Sequence, residues 1–233
     1  GSLFGIPLNT WHQHFNSSGT KAARFLAVTN APTVINLYDD LEFVFNCEHE
    51  FKNRFNGEPD YFSNEGVQKG LLLETNFVPD ARSLPLIYTK ERGAGGGHIR
   101  FNLCKGSLNS HISEFPVATY KKAHAHGPGA HVVILSGEGY SLMWPEGSEP
   151  QKYDWQIGSM IVAPNQWYHQ HFNTGATPAR YLALKWEGVT TRNAQGVPVA
   201  WISKRLGGGQ LDYADEDPRI RQWFAEALSK NGL

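Results

Sequence analysis

Two cysteines stand in the 233 residues, Cys47 and Cys104. They are too few and too far apart for a zinc spacing or a disulfide framework. A reduced, cytoplasmic setting is therefore expected, and no secretory pattern opens the sequence. No apolar run approaches the roughly eighteen residues that a membrane-spanning helix needs. Charge of one sign is never concentrated: 21 basic residues face 22 acidic ones for a net charge of −1. Neither nucleic acid nor a membrane surface is expected as a partner. Methionine is scarce, at 2, whereas Phe, Tyr and Trp number 13, 9 and 7. The core or pocket should then be aromatic and stiff. Gly 24 and Pro 13 suit a turn-rich β chain, and the length allows one large or two small domains.

What the chain does hold is histidine in pairs. His124 and His126 form one His-x-His, and His169 and His171 form another. Residues i and i+2 of a strand share a face, so each pair can point into one cavity. Imidazole is the commonest metal ligand, and two such pairs facing each other would make a metal site. Strand signals recur over 98–103, 110–120, 131–135, 140–144, 153–155, 159–163, 167–172 and 179–186, broken by Gly, Pro, Asn or Ser. That spacing indicates a sandwich or barrel. The end of the chain differs. Asp217 suits an N-cap and Pro218 the first helical position, Ile220, Phe224 and Leu228 form one apolar stripe, and Gly232 supplies a stop.

The spacing around the histidines resembles the paired motifs of the cupin superfamily. The first motif falls on His124, His126 and Gly137, and the second on Gly158, Pro164, His169 and Asn173. Gln166 replaces the usual Gly of the second motif, and Ala130 stands where most cupins carry a Glu ligand. Ala at that place, with Tyr168, His169, His171 and Asn173 close to Trp-His-x-His-x-Asn, is similar to the gentisate 1,2-dioxygenase-like bicupins. The resemblance implies an all-β, double-stranded β-helix (a cupin jelly-roll barrel) with the C-terminal helix added. It also implies a divalent metal held by His124, His126 and His169, Fe(II) foremost, with Zn, Mn or Ni able to use the same ligands.

An internal repeat complicates the organisation. Residues 1–16 align without a gap on 158–173, with eight of the sixteen positions identical, including His12, His14 and Asn16. Two copies of one unit are expected, the first lacking its own first motif. The expected division is 1–46 as the C-terminal part of a first, incomplete cupin unit, 47–74 as a linker, 75–205 as the complete barrel and 206–233 as tail and helix. Residues 25–28 read as a short strand of the first unit. The loop at 93–97 is Gly-rich, but it lacks the strand-loop-helix context of a phosphate-binding loop. His12 and His14 are expected to be structural, and His131 to turn away from the metal by strand parity.

His171 shares a face with His169 and is the candidate acid/base. Candidates for the pocket are Gln166, Trp167, Tyr140 and His111, with Asn102 and Trp155 beside them. Arg180 would clamp a carboxylate if it faced inward, but its place suggests an ion pair holding strands. Imidazole ligates in its neutral form, so metal occupancy should fall below roughly pH 6.5. The gentisate-like resemblance implies ring cleavage of a hydroxylated aromatic acid with O2, by a homo-oligomeric enzyme. The second reading is a non-oxidative metal cupin: an isomerase, a decarboxylase or a small-ligand-binding module.

Overall fold

The computed structural model describes residues 1–63, 66–90, 93–127, 129–186 and 192–233, the Trp186 side chain aside. In chain order the elements are β1 (Leu3–Phe4), α1 (Ala31–Tyr38), α2 (Leu41–Phe45), β2 (Val67–Lys69), β3 (Leu72–Thr75), β4 (Phe77–Val78) and β5 (Ile87–Tyr88). Then come β6 (Gly97–Leu103), β7 (Leu108–Phe115), β8 (His124–Ala125), β9 (His131–Ser136), β10 (Gly139–Trp144), β11 (Gln151–Trp155), β12 (Met160–Val162), β13 (Tyr168–Asn173), β14 (Ala179–Trp186) and α3 (Pro218–Lys230). Single 3-10 turns lie at Val199–Trp201 and Lys204–Leu206. Among the described residues no helix is long and apolar enough to cross a membrane.

The strands form two principal sheets. The smaller runs β11-β10-β13-β8, and the larger runs β12-β9-β14-β7-β6-β3-β2 with β5 on β6. Alternation sets the faces. In β6, Ile99 and Phe101 join Ile112, Leu182 and Val78 in an outer apolar layer, while His98 meets His111 on the opposite face. That second face looks into the space between the sheets, where Phe115, Val132, Ile134, Trp155 and Tyr181 pack together. The expected strand over 110–120 stops at Phe115, because Pro116 brings no N–H to the ladder.

Strand β10 is buried on both faces. Tyr140, Leu142 and Trp144 point outward, and with Phe172 they pack under Ile220 and Phe224 of α3. The helix begins as its residues dictate: the Asp217 side chain accepts from the Arg219 N–H, and Pro218 opens the first turn. Asn173, fully buried at the end of β13, donates to the carbonyls of Pro116 at 3.0 Å and Thr177 at 2.9 Å. Its Oδ1 accepts from Gly175 N–H at 3.1 Å. It thereby ties β13 to the loops on either side, which accounts for Asn at this motif place. Asn173→Ala should cost about 2–4 kcal/mol, because three buried hydrogen bonds lose their partner. Chemical denaturation measures this, and a loss under about 1 kcal/mol would contradict the role.

The N-terminal segment departs from expectation. Residues 25–28 form no strand, and 31–38 and 41–45 are helices. Asp40 caps α2 by accepting from Phe43 N–H at 2.9 Å, and Asp39, left-handed at φ 50°, closes α1. The repeat explains the difference. Its counterpart β14 lies between β7 and β9, whereas the described residues offer 25–28 no neighbouring strand. Phe25 and Leu26 stay exposed, as do Trp11 and Phe15 at 94% and 84%. Only β1 finds a ladder, with β4.

Candidate metal centre

Strands β8 and β13 lie side by side, antiparallel, with His124 directly opposite His169. Their ring centroids are 4.2 Å apart. His126, just beyond the end of β8, lies 5.3 Å from His124 and 4.9 Å from His169. One nitrogen from each of the three rings falls within 4.8 Å of the others. Three imidazole nitrogens gathered this closely suit a divalent transition ion, which binds such nitrogens at about 2.0–2.1 Å. Among the described residues no carboxylate or thiol joins the cluster.

The surroundings orient the rings. His169 Nδ1 lies 3.2 Å from the Trp167 carbonyl. A carbonyl only accepts, so Nδ1 carries the proton and Nε2 offers its lone pair to the cluster. Gln166 adopts φ +62°, the left-handed conformation that favours glycine. Its N–H donates to the His126 carbonyl at 3.1 Å. The turn before β13 is thus stitched to the residue that follows β8, while the Gln166 side chain is exposed.

His171 lies beside the cluster, 5.8 Å from the His169 ring. Its Nδ1 is 2.7 Å from Ser141 Oγ, and Trp155 Nε1 donates to the same oxygen at 3.0 Å. With the indole N–H on one lone pair, the hydroxyl proton can go to Nδ1, which leaves the His171 proton on Nε2. Ser141 is fully buried and lies opposite His171 across β10 and β13.

Other candidates go elsewhere. Tyr140 lies on the outer face, stacked on Phe172 at 4.5 Å, and lines an outside groove of about 900 Å³. As β10 alternates, Ser141 takes the inward place and Tyr140 cannot. Burial raises its hydroxyl well above the usual tyrosine range. Arg180 also faces outward, with Nε 2.7 Å from Glu114 and Nη1 donating to the carbonyls of Ala81 and Leu84. It is an ion pair holding strands, not a clamp on the cavity. His131 is exposed, and Ala130 is buried in the inner apolar layer. His12 and His14 lie 5.5 Å apart on the exposed N-terminal segment. Trp167 is half-buried and contributes its carbonyl.

His111 does face inward, 5.0 Å from the His98 ring and 6.1 Å from Tyr181. Burial first, then the charges of His98, Lys185, Lys121 and His126, push its pKa well below the usual histidine range. It is a neutral donor and acceptor at pH 7.

Strand order decides the fold. Two facing sheets, with both histidine strands paired in the smaller one, make a double-sheet jelly roll. The fold is a cupin jelly roll. No family model and no curated protein matches the sequence. The chain is similar to a putative ethanolamine utilization protein Q of Salmonella typhimurium LT2, at 14% identity and TM-score 0.38 over 47% of this chain and 85% of that one. It is also similar to a cupin 2 conserved barrel domain protein of Rhodopseudomonas palustris, at 18% identity and TM-score 0.36 over 48% of this chain and 77% of that one. A third likeness is to the Drosophila melanogaster CENP-C cupin domain, at 13% identity and TM-score 0.37 over 45% and 76%. Likenesses this distant say nothing of this chain's chemistry.

Four inward residues were not anticipated: His98, Lys121, Ser113 and Ser141. Lys121 was hidden by a bulge. Tyr120 pairs with Phe172 but His124 pairs with His169, four residues against three. The extra residue changes the parity between Lys121 and the histidines.

Proposed function

We propose that this cupin is an Fe(II) dioxygenase that opens the ring of a hydroxylated aromatic acid, gentisate- or salicylate-like. One observation carries the reading. His124, His126 and His169 converge with no anionic ligand joining them among the described residues, and a buried alanine, Ala130, stands at the fourth place. A bound divalent ion would supply Lewis acidity and, as iron, one-electron chemistry toward O2. Neutral imidazoles leave its charge undiminished, so a substrate bearing adjacent hydroxyl and carboxylate groups suits it as a bidentate anion.

The chain supplies the rest. His169 keeps its ring fixed through the Trp167 carbonyl. His171 presents Nε2–H toward the cavity while Ser141 holds Nδ1, so it can give and regain a proton at that nitrogen. Trp155 and Tyr181, both under a tenth exposed, wall the cavity and exclude water.

Oxygen uptake by the iron-loaded protein, with a panel of gentisate, salicylates and catechols, tests the reading. His171→Ala should lower turnover by about 10²–10⁴-fold and leave metal content nearly intact. No uptake with any of the panel, together with turnover of a sugar or keto acid by the zinc or manganese form, would replace the dioxygenase by a non-oxidative cupin.

A further inference from the structure

We infer that the groove between α3 and β11, on the outside of the smaller sheet, is a second binding site and that its ligand is a neutral saccharide. The site is separate from the three histidines and does not depend on the proposed function.

The groove encloses about 900 Å³, within the size of small-molecule clefts. Tyr140 and Leu142 of β10 form its floor. Trp223 and Ala227 of α3 line one side, and Lys152 and Asp154 of β11 the other. The helix leaves this space because of where it packs. Phe224 meets Phe172 of β13 and Tyr120 beyond it, so α3 sits toward β13 and away from the edge strand β11.

The Tyr140 hydroxyl is the observation that points to a ligand. Tyr140 is 2% exposed, and its hydroxyl has no hydrogen-bond partner among the described residues. A buried hydroxyl left unpaired is costly, and native chains leave few of them. Side chains stand off a sheet, so the ring carries its hydroxyl away from β10 and toward the groove. Phe172 stacks on the ring at 4.5 Å, and Lys152 Nζ lies over it, 4.6 Å from the centroid. What remains for a ligand is the hydroxyl edge. Lys152 is exposed and pairs with Asp154 at 3.0 Å. A surface pair of this kind holds weakly, so the lysine can swing off the ring and admit a ligand. Burial first, then Tyr120 and Asp154, raise the Tyr140 pKa. The phenol therefore stays neutral at pH 7 and can both donate and accept.

The rim selects the class of ligand. Glu138, Asp154 and Glu226 are acidic, and Lys152 and Lys230 basic. Neither sign prevails strongly, so the groove concentrates neither anions nor cations. It offers instead a neutral phenol, apolar surface on Trp223 and Leu142, and donors and acceptors interspersed around the edge. A sugar ring is the complement: an apolar C–H face, with hydroxyls around it that donate and accept.

A glycan array probed with the full chain, followed by calorimetry on the best-retained glycan, tests the inference. Neutral saccharides should be retained, and acidic ones no better. Tyr140→Phe should bind that glycan about 3- to 10-fold more weakly and yet melt at or above the wild type, because the atom removed is a buried hydroxyl without a partner. Ala227→Arg, which fills the groove from α3, should abolish binding. Affinity should be the same with and without bound metal, since Tyr140 lies on the opposite face of the sheet from the histidines. No neutral glycan retained by the wild type would overturn the inference. So would wild-type affinity in Tyr140→Phe, or a Tm more than about 2 °C below the wild type, which would mean that the fold itself uses the hydroxyl. Glycan binding that requires metal would move the sugar to the histidines. Self-association of the wild type, read by sedimentation and abolished in Ala227→Arg, would give the groove to a second copy of the chain instead.

Discussion

In a His126→Ala protein, bound divalent metal is expected to fall to trace level while the fold remains. His126 lies just past the end of β8 and contributes no ladder pair to β13, which pairs with β8 through His124 and Ala125. Its backbone carbonyl, which accepts from Gln166, is kept by alanine. The change therefore removes one nitrogen of the three and little packing. Losing a hydrogen-bond partner behind a metal ligand already costs about 10–100-fold in affinity, so loss of the ligand itself should exceed about 100-fold. Elemental analysis after dialysis reads this directly. Circular dichroism should match the wild type. Unchanged metal content would sink the assignment of the cluster. His169→Ala is a poorer test, because His169 is buried within β13 and its removal also leaves a void.

How much of this was legible in the sequence depended on periodicity. The barrel strands and α3 declare themselves through alternation, Gly and Pro punctuation, and a capped apolar stripe, and these local signals agree with the packing around them. The convergence of His124, His126 and His169 was legible for the same reason: strand parity is a local property as long as the ladder is regular. Where the ladder is irregular, parity fails. Lys121 stands beside Lys122 in the sequence with nothing to set it apart, yet one bulge buries it while Lys122 pairs with Asp212 near the surface. Tyr140 was misplaced for a different reason. An aromatic beside a motif suits either face, and only Ser141, a residue with no conspicuous signal, settles which side of β10 looks inward. The N-terminal repeat shows the reverse limit. Eight identities in sixteen positions announce a common ancestry of segments, but a strand needs a neighbour to pair with, and β12 and β13 have theirs while 11–28 has none among the described residues. Identical residues then adopt different structure.

The second large effect should appear in stability rather than chemistry. Phe224 of α3 packs on Tyr120 at 5.0 Å and on Phe172 at 5.6 Å, and with Ile220 it covers the outer face of the smaller sheet. Phe224→Ala should remove about 3–5 kcal/mol, the cost of a large buried aromatic plus its cavity. At roughly 2–4 °C per kcal/mol for a chain of this size, Tm should fall by about 6–20 °C. The histidines themselves lie on the opposite face of the sheet from Phe224, since Gln170 and Phe172 alternate with His169 and His171. Metal added in excess should therefore still stabilise the variant. A ligand at about 100 times its Kd contributes about 2.7 kcal/mol to the folded state, so the metal-induced rise in Tm should be similar in the wild type and in Phe224→Ala, and should vanish in His126→Ala. Thermal scans of the three proteins with and without zinc measure both effects at once. A Phe224→Ala protein that melts within about 2 °C of the wild type would mean that α3 does not stabilise the sheet it covers. A metal shift lost in Phe224→Ala but kept in His126→Ala would mean that the ion binds elsewhere than at the three histidines.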